Sequence, residues 1–219
     1  MKILNLYAGI GGNRKLWGNE QEITAVELDP KIASIYQDFF PQDKVIIADA
    51  HKYLEEHFEE FDFIWSSPPC PSHSQLRKGF SVNNGAKPIF PDMKLYEEII
   101  FLKGYFKGKY VVENVISWYD PLIHPQTISR HYYWANFPIR KIDVQHGKLN
   151  LTGGWEKQDD KENVKHLEKE FNFDLSKYNV GTAKKRRMLR NCVGMGTGLH
   201  ILNEALGVKV EKAQQELLI

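Results

Sequence analysis

Residues 2–16 read "KILNLYAGIGGNRKL". A short apolar run, "KILNLYA", breaks into a turn carrying Gly9, Gly11 and Gly12. An apolar run of this length bounded by glycines predicts a buried strand that ends in a tight turn. Outward from it the same pattern recurs in "EITAVEL" (22–28), "KVIIAD" (44–49), "FDFIWSS" (61–67) and "KYVVENV" (109–115). Helix-like segments lie between. "DPKIASIYQDFF" (29–40) offers Asp29 as N-cap, Pro30 at the first helical position, and Ile32, Ile35, Tyr36, Phe39 and Phe40 at helical spacing. "HKYLEEHF" (51–58) and "DMKLYEEIIFLKGYF" (92–106) complete the set. Strand and helix alternating at short intervals predict right-handed parallel units, hence an α/β fold: an open, mostly parallel sheet flanked by helices.

The 219 residues suit one domain, or one with a small appendage. Hydrophobic content of 42% and charged content of 26% are those of a chain that buries a core. No apolar run approaches the roughly 18 residues of a membrane span. "MKILNLYAGIGG" has too short an apolar run for a secretory signal, so the expected location is cytosolic, without membrane contact. Cys70 and Cys192 are too few for a disulfide framework and lack zinc spacing, so no metal is expected. The net charge is +1, but "KKRRMLR" (184–190) concentrates Lys184, Lys185, Arg186, Arg187 and Arg190. It reads as a solvated helix face or as a phosphate-binding patch. Beyond about residue 120 the alternation stops. "RHYYWANFPIRKIDVQ" (130–145) suggests two strands in antiparallel pairing, "ENVKHLEKEF" (162–171) and "GLHILNEAL" (198–206) suggest helices, and a small inserted region is expected over 138–182.

Open parallel sheets bind ligands beyond the carboxyl ends of their strands. Gly9 to Gly12, Glu27, Asp49, Pro68 to Cys70 and Glu113 each close a predicted strand. A dinucleotide fingerprint needs glycines at its first, third and sixth positions; Gly9 and Gly11 fit, but the sixth is Arg14. Glu27 lies 18 residues past Gly9, where a carboxylate accepts from ribose hydroxyls, and Asp49 is placed to receive an adenine amine. Glycine turn, Glu and Asp together suit an adenosine ligand without a tightly held pyrophosphate; turns and helix caps are the plain alternative. Pro68, Pro69 and Pro71 hold Cys70 in a stiff, extended turn. A free cysteine is commonly a packing residue. A strand terminus at the ligand edge instead suits a nucleophile, which attacks as thiolate. Glu113 is placed either to bond the ring nitrogen and amine of a base or to serve as an ordinary strand-end acid.

Three motifs together resemble the DNA cytosine-5 methyltransferase family: "YAGIGG" its glycine motif, "SSPPCPSHS" its Pro-Cys motif and "ENV" its Glu-Asn-Val motif. The resemblance runs over nearly the whole chain and is weakest from 138 to 182. It implies a Rossmann-like S-adenosylmethionine-dependent methyltransferase fold with a catalytic domain formed by 1–137 and 183–219. The region 138–182 then takes the place of a target-recognition domain. It further implies S-adenosylmethionine as cofactor, held by Tyr7, Gly9, Gly11, Gly12, Glu27, Leu28, Asp49, Ala50, Pro68, Asn191 and Val193. Cys70 becomes the nucleophile and Glu113 the base-orienting acid, with Asn114 bracing their loop. Arg130, in "ISRHYYW", matches the first arginine of a Gln-x-Arg-x-Arg motif and would contact the base's carbonyl oxygen; Ile128 and Tyr132 stand where the glutamine and second arginine belong. In "RNCVG", Arg190 replaces a glycine and Cys192 a small residue. Double-stranded DNA is the implied partner, gripped by Ser74, Lys184, Lys185, Arg186 and Arg187.

The implied chemistry flips a cytosine from the stack, adds Cys70 to C6 and lets Glu113, in its acid form, meet charge at N3. C5 then takes the methyl group, and its proton leaves to His73, Ser74 or water. A recognition region this short implies a very short target site, or help from a partner or a second subunit. The compact length resembles forms carried by phages or restriction–modification systems, in a bacterial or phage-infected cytosol. Four other readings use the same residues. A non-catalytic nucleic-acid-binding member would be signalled by loss of Cys70 or Glu113, and both are present. Amino-methyltransferases carry Ser-Pro-Pro-aromatic where this chain has "SPPC". A tRNA-methylating branch shares the family motifs. A nicotinamide oxidoreductase is disfavoured by Arg14.

Overall fold

Four short apolar runs and one longer one lie side by side as parallel strands: β1 (Lys2–Leu6), β2 (Glu22–Glu27), β3 (Lys44–Ile47), β4 (Phe63–Ser66) and β5 (Lys109–Val115). The computed structural model describes residues 1–76, 78–79, 85, 87–141 and 160–208. Among these the sheet continues with β6 (Gln126–Ile128) and β7 (His131–Ala135), in the order β3-β2-β1-β4-β5-β7-β6. β7 runs antiparallel to both of its neighbours. The helices are α1 (Pro30–Phe39), α2 (Ala50–His57), α3 (Lys94–Tyr105), α4 (Asp160–Phe171), α5 (Thr182–Arg190) and α6 (Met195–Leu206). No helix among the described residues is long and apolar enough to cross a membrane.

The period of two in a strand sorts β1 onto two layers. Leu4 and Leu6 face α2 and α3 through Leu54, Leu95, Ile99 and Leu102. Ile3 faces the other side, where Trp17, Trp65, Ile201 and Leu202 gather. A third cluster joins Ile35, Tyr36 and Phe40 of the α1 region to Val164, Leu167, Phe173, Met188 and Leu189. From α4 onward, the described residues of the expected inserted region therefore share a core with α1 and α5, while Ile139 packs with the Ile3 cluster. Residues 142–159, with Gly153 and Gly154, lie outside the described residues.

The starts of α1 and α2 follow side-chain caps. Asp29 Oδ1 accepts from the Lys31 and Ile32 amides at 2.9 and 3.3 Å. Asp49 Oδ1 accepts from His51 and Lys52 at 3.0 and 3.2 Å. Of the strand pair expected over 130–145, β7 is present; it pairs back with β6 in a hairpin turned by Ser129 and Arg130, with Ser129 at φ +55°, and residues 142–145 lie outside the described residues. Two-residue hairpin turns need positive φ to match strand twist.

β1 is flanked by β2 on one side and β4 on the other, so the strand order reverses there. Ligand crevices open at that switch point.

Candidate active site

A cavity of about 560 Å³ opens at the carboxyl ends of the parallel strands. Its first wall is the turn after β1. Gly9 has φ +56°, and a Cβ there would meet nothing within 4 Å, so its backbone conformation, rather than room, calls for glycine. The Gly9 amide donates to Glu27 Oε2 at 3.0 Å, while Glu27 Oε1 accepts from the Asp29 amide at 2.9 Å. One carboxylate thus ties the glycine turn to the β2–α1 corner. Gly11 does not line the cavity, contrary to its expected place. A Cβ there would sit 2.3 Å from the Phe40 ring and 2.9 Å from Tyr36, so glycine is needed for packing on α1. Gly12 lines it; a Cβ there would fall 2.5 Å from Cys192 Cβ. Asn13 and Asn5 exchange side-chain amide bonds of 2.8 and 3.4 Å and fasten the turn to β1.

Glu27, Asp49 and Ala50 line the same wall, with the exposed Leu28 beside them. The Lys52 and His51 amides hold the Asp49 carboxyl below the usual range. It is therefore a helix cap that also faces the cavity. Tyr7 lines the cavity with φ +55° and donates its hydroxyl to Glu98 Oε1 at 2.5 Å. Burial, then the Glu98 charge, pushes the Tyr7 phenol far above its ordinary value, so it remains a donor. Glu98, fully buried, also accepts from Ser66 Oγ at 2.6 Å and lies 3.0 Å from His51 Nδ1.

The opposite wall is the turn after β4. Pro68 is buried and Cys70 half-buried, and both line the cavity. The Cys70 carbonyl accepts from the His73 and Ser74 amides at 3.0 and 3.1 Å, closing the turn behind the thiol. Asn114 Nδ2 donates to the Pro68 carbonyl at 3.0 Å, while Asn114 Oδ1 accepts from the Val115 amide. This brace couples the Cys70 turn to the end of β5, where Glu113, 7% exposed, faces the cavity. His131 Nε2, at the start of β7, lies 3.5 Å from Glu113 Oε1. His73 points away: its Nδ1 is 2.6 Å from the Tyr119 hydroxyl, and burial keeps its ring neutral.

Burial pushes the Cys70 thiol up, and the Glu113 charge adds to the rise; Arg190 opposes it. The nucleophilic form is the thiolate. Alkylation of Cys70 by iodoacetamide, followed by mass spectrometry, should therefore keep accelerating with pH beyond the ordinary thiol range. Glu113→Gln should move the profile to lower pH and Arg190→Gln to higher pH; a profile unmoved by both would refute this electrostatic picture. Cys192, pushed up to about 12 chiefly by burial, should stay silent across that range.

α5 closes the cavity with Arg187 and Arg190, one turn apart, followed by Asn191 and Val193. The other expected contacts lie elsewhere. Lys184 Nζ pairs with Asp29 Oδ2 at 2.6 Å, and Lys185 and Arg186 do not line the cavity. Ser74 forms a β-bridge with Ser117. Arg130, expected at the base's carbonyl oxygen, is exposed and outside the cavity, because the two-residue hairpin turns it to solvent. Sequence reasoning missed His131, Asp92 and Lys94, which do line it. His131 sat unremarked beside Arg130 in the quoted motif. Asp92 and Lys94 begin the helix that follows the Cys70 loop, a position that strand-end logic alone would not reach. Among the described residues no group of three or more His, Cys, Asp or Glu is arranged to hold a metal ion.

The sheet order, the glycine turn and the strand-end cavity define a Rossmann-like S-adenosylmethionine-dependent methyltransferase fold. A model of the family described as C-5 cytosine-specific DNA methylase matches residues 1–115, and the chain belongs to that family. Its structure is similar to the Entamoeba histolytica methyltransferase EhMeth, with a TM-score of 0.57 and 11% identity over 96% of this chain and 99% of that one. It is also similar to a mutant of Spodoptera frugiperda DNMT2, with a TM-score of 0.52 and 16% identity over 94% and 98%. At these identities the likeness concerns the fold. No curated protein sequence matches the chain.

Proposed function

We propose that the protein is a DNA cytosine-5 methyltransferase that uses S-adenosylmethionine and attacks a flipped-out cytosine through Cys70. The carrying observation is that Cys70 and Glu113, from neighbouring parallel strand ends, face one cavity whose far wall carries the glycine turn, Glu27 and Asp49. The donor set fits the cofactor. Carboxylates at the ends of β2 and β3 suit ribose hydroxyls and an adenine amine, Leu28 and Ile32 offer apolar surface, and the open space at Gly9 admits a ligand against the backbone. Tyr7, Gly9, Gly12, Glu27, Leu28, Asp49, Ala50, Pro68, Asn191 and Val193 would hold it. Bound there, the cofactor supplies an electrophilic methyl group for C5.

The chain's residues supply the remaining chemistry. Cys70 Sγ bonds to C6 and moves electron density toward C5 and N3, and Glu113 hands N3 a proton. After transfer, water takes the C5 proton, which restores the double bond and expels the thiolate, while N3 returns its proton to Glu113. Arg187 and Arg190, which line the cavity, with Lys185 and Arg186 on the same helix, suit backbone phosphates, which position a duplex without specifying sequence. Residues 138–182 remain the candidate recognition region, and in a chain this compact they suit a short target.

Random-sequence duplex DNA carrying 5-fluorocytosine, incubated with protein and S-adenosylmethionine, tests this. Fluorine cannot leave as a proton, so attack should trap a denaturation-resistant adduct. An adduct on DNA but not on a matched RNA pool is expected. An adduct on RNA alone would transfer the chemistry to RNA and overturn the DNA assignment. No adduct on either, with cofactor bound, would point to amino methylation.

A further inference from the structure

Glu113 is buried, and its acid function needs something to hold the carboxylate left behind once N3 has its proton. Among the described residues, Tyr133, its register partner on β7, is fully buried. Cys70 is the proposed nucleophile, and Arg190 acts on Cys70 from α5. His131 sets a ring nitrogen against the carboxyl. It opens β7 opposite Val115, lines the cavity, and sets Nε2 3.5 Å from Glu113 Oε1. Its side chain is 32% exposed against 9% for Glu113.

Resting on the function proposed above, we infer that His131 is a positioning residue for the methyl-transfer reaction, orienting Glu113 and donating from Nε2 to the carboxylate formed when Glu113 gives its proton to N3. The proton balance is simple. Glu113 loses its proton to N3, His131 keeps its own and shares it through the hydrogen bond, and N3 returns the proton to Glu113 when the thiolate leaves. The present 3.5 Å is long for a hydrogen bond, and catalytic bonds commonly tighten when substrate fills the site. Motif matching pointed to Arg130; the side chain that reaches the cavity is that of the next residue, His131.

The test compares His131→Gln, which keeps an N–H donor, with His131→Leu, which keeps bulk but donates nothing. Expected for His131→Leu is a loss of about a hundredfold in kcat and in the rate of 5-fluorocytosine adduct formation, with KM for S-adenosylmethionine and the melting temperature unchanged. His131→Gln should recover most of that loss. In a Glu113→Gln background, His131→Leu should add little, because the carboxylate it serves is gone. Equal rates for the Leu variant and the parent would overturn the inference, and so would equal losses for Leu and Gln. Failure of the parent protein to form any adduct would instead overturn the proposed function, so the two failures are distinguishable.

Discussion

Cys70→Ala should abolish methyl transfer to cytosine, with a fall of at least about a thousandfold and no covalent adduct on 5-fluorocytosine DNA. The substitution removes the sulfur and little else. The turn is held by its prolines, by the two amides that bond to the Cys70 carbonyl, and by Asn114 on the Pro68 carbonyl. None of these involves the thiol. Melting should change by less than about 1 kcal/mol, and S-adenosylmethionine should bind as before, because Glu27, Asp49 and the glycine turn form the opposite wall. Cys70→Ser should fail nearly as completely, since a hydroxyl is a far weaker nucleophile than a thiolate. The decisive comparison is activity against cofactor binding, by tritium transfer and calorimetry. If Cys70→Ala kept more than about a tenth of the rate, a barrier difference below about 1.4 kcal/mol, the covalent route would be excluded. Amino methylation would then become the better account, because that chemistry needs no thiol.

The parts of this site that were legible in the sequence are those set by local rules. Apolar runs ending in Gly, Glu, Asp, Pro-Cys or Glu mark parallel strands, and parallel sheets gather ligands where such runs end. Asp29 and Pro30 announced α1 before any packing was known, and the structure starts the helix at Pro30. What escaped depends on residues far apart in the chain. Gly11 is excluded from the cavity by the rings of Tyr36 and Phe40, which nothing near Gly11 foretells. Lys184 pairs with Asp29 across 155 residues of chain, so one charge of the basic run is committed to α1 rather than facing the cavity. β6 goes unread in the sequence because it has three residues and "QTI" carries almost no apolar pattern. The turn at Ser129 and Arg130 goes unread with it. At a tight hairpin one residue separates a turn position from a paired one, and neighbours along a strand face opposite sides. Arg130 went to solvent and His131 to the cavity.

Arg14 breaks the dinucleotide glycine pattern, and the structure shows what it does instead, which sets the second large expectation. Its Nε and Nη2 donate to Asp43 at 2.8 and 3.0 Å, and the Tyr36 hydroxyl donates to the same carboxylate at 2.7 Å. The guanidinium sits 4.9 Å over the Phe40 ring, and both partners of the pair are almost fully buried. Asp43→Ala would leave that guanidinium buried with no counter-charge and a phenol with no acceptor. A buried pair broken on one side costs about 3–5 kcal/mol, a large share of the stability of a domain this size. Urea denaturation should show that loss. Replacing both partners, Arg14→Met with Asp43→Leu, should cost far less, because no unpaired charge remains. Tyr36 and Phe40 are also the rings against which Gly11 packs, so loosening this cluster loosens the glycine turn. Cofactor affinity should therefore fall in Asp43→Ala at temperatures where the chain is still folded, although Asp43 does not line the cavity. A single variant losing under about 1 kcal/mol would mean that water reaches the guanidinium and that the Asn5–Asn13 pair and the Gly9–Glu27 bond suffice to anchor the turn. A double variant as damaged as the single would mean that the shape of the cluster, rather than its charge, holds the turn in place.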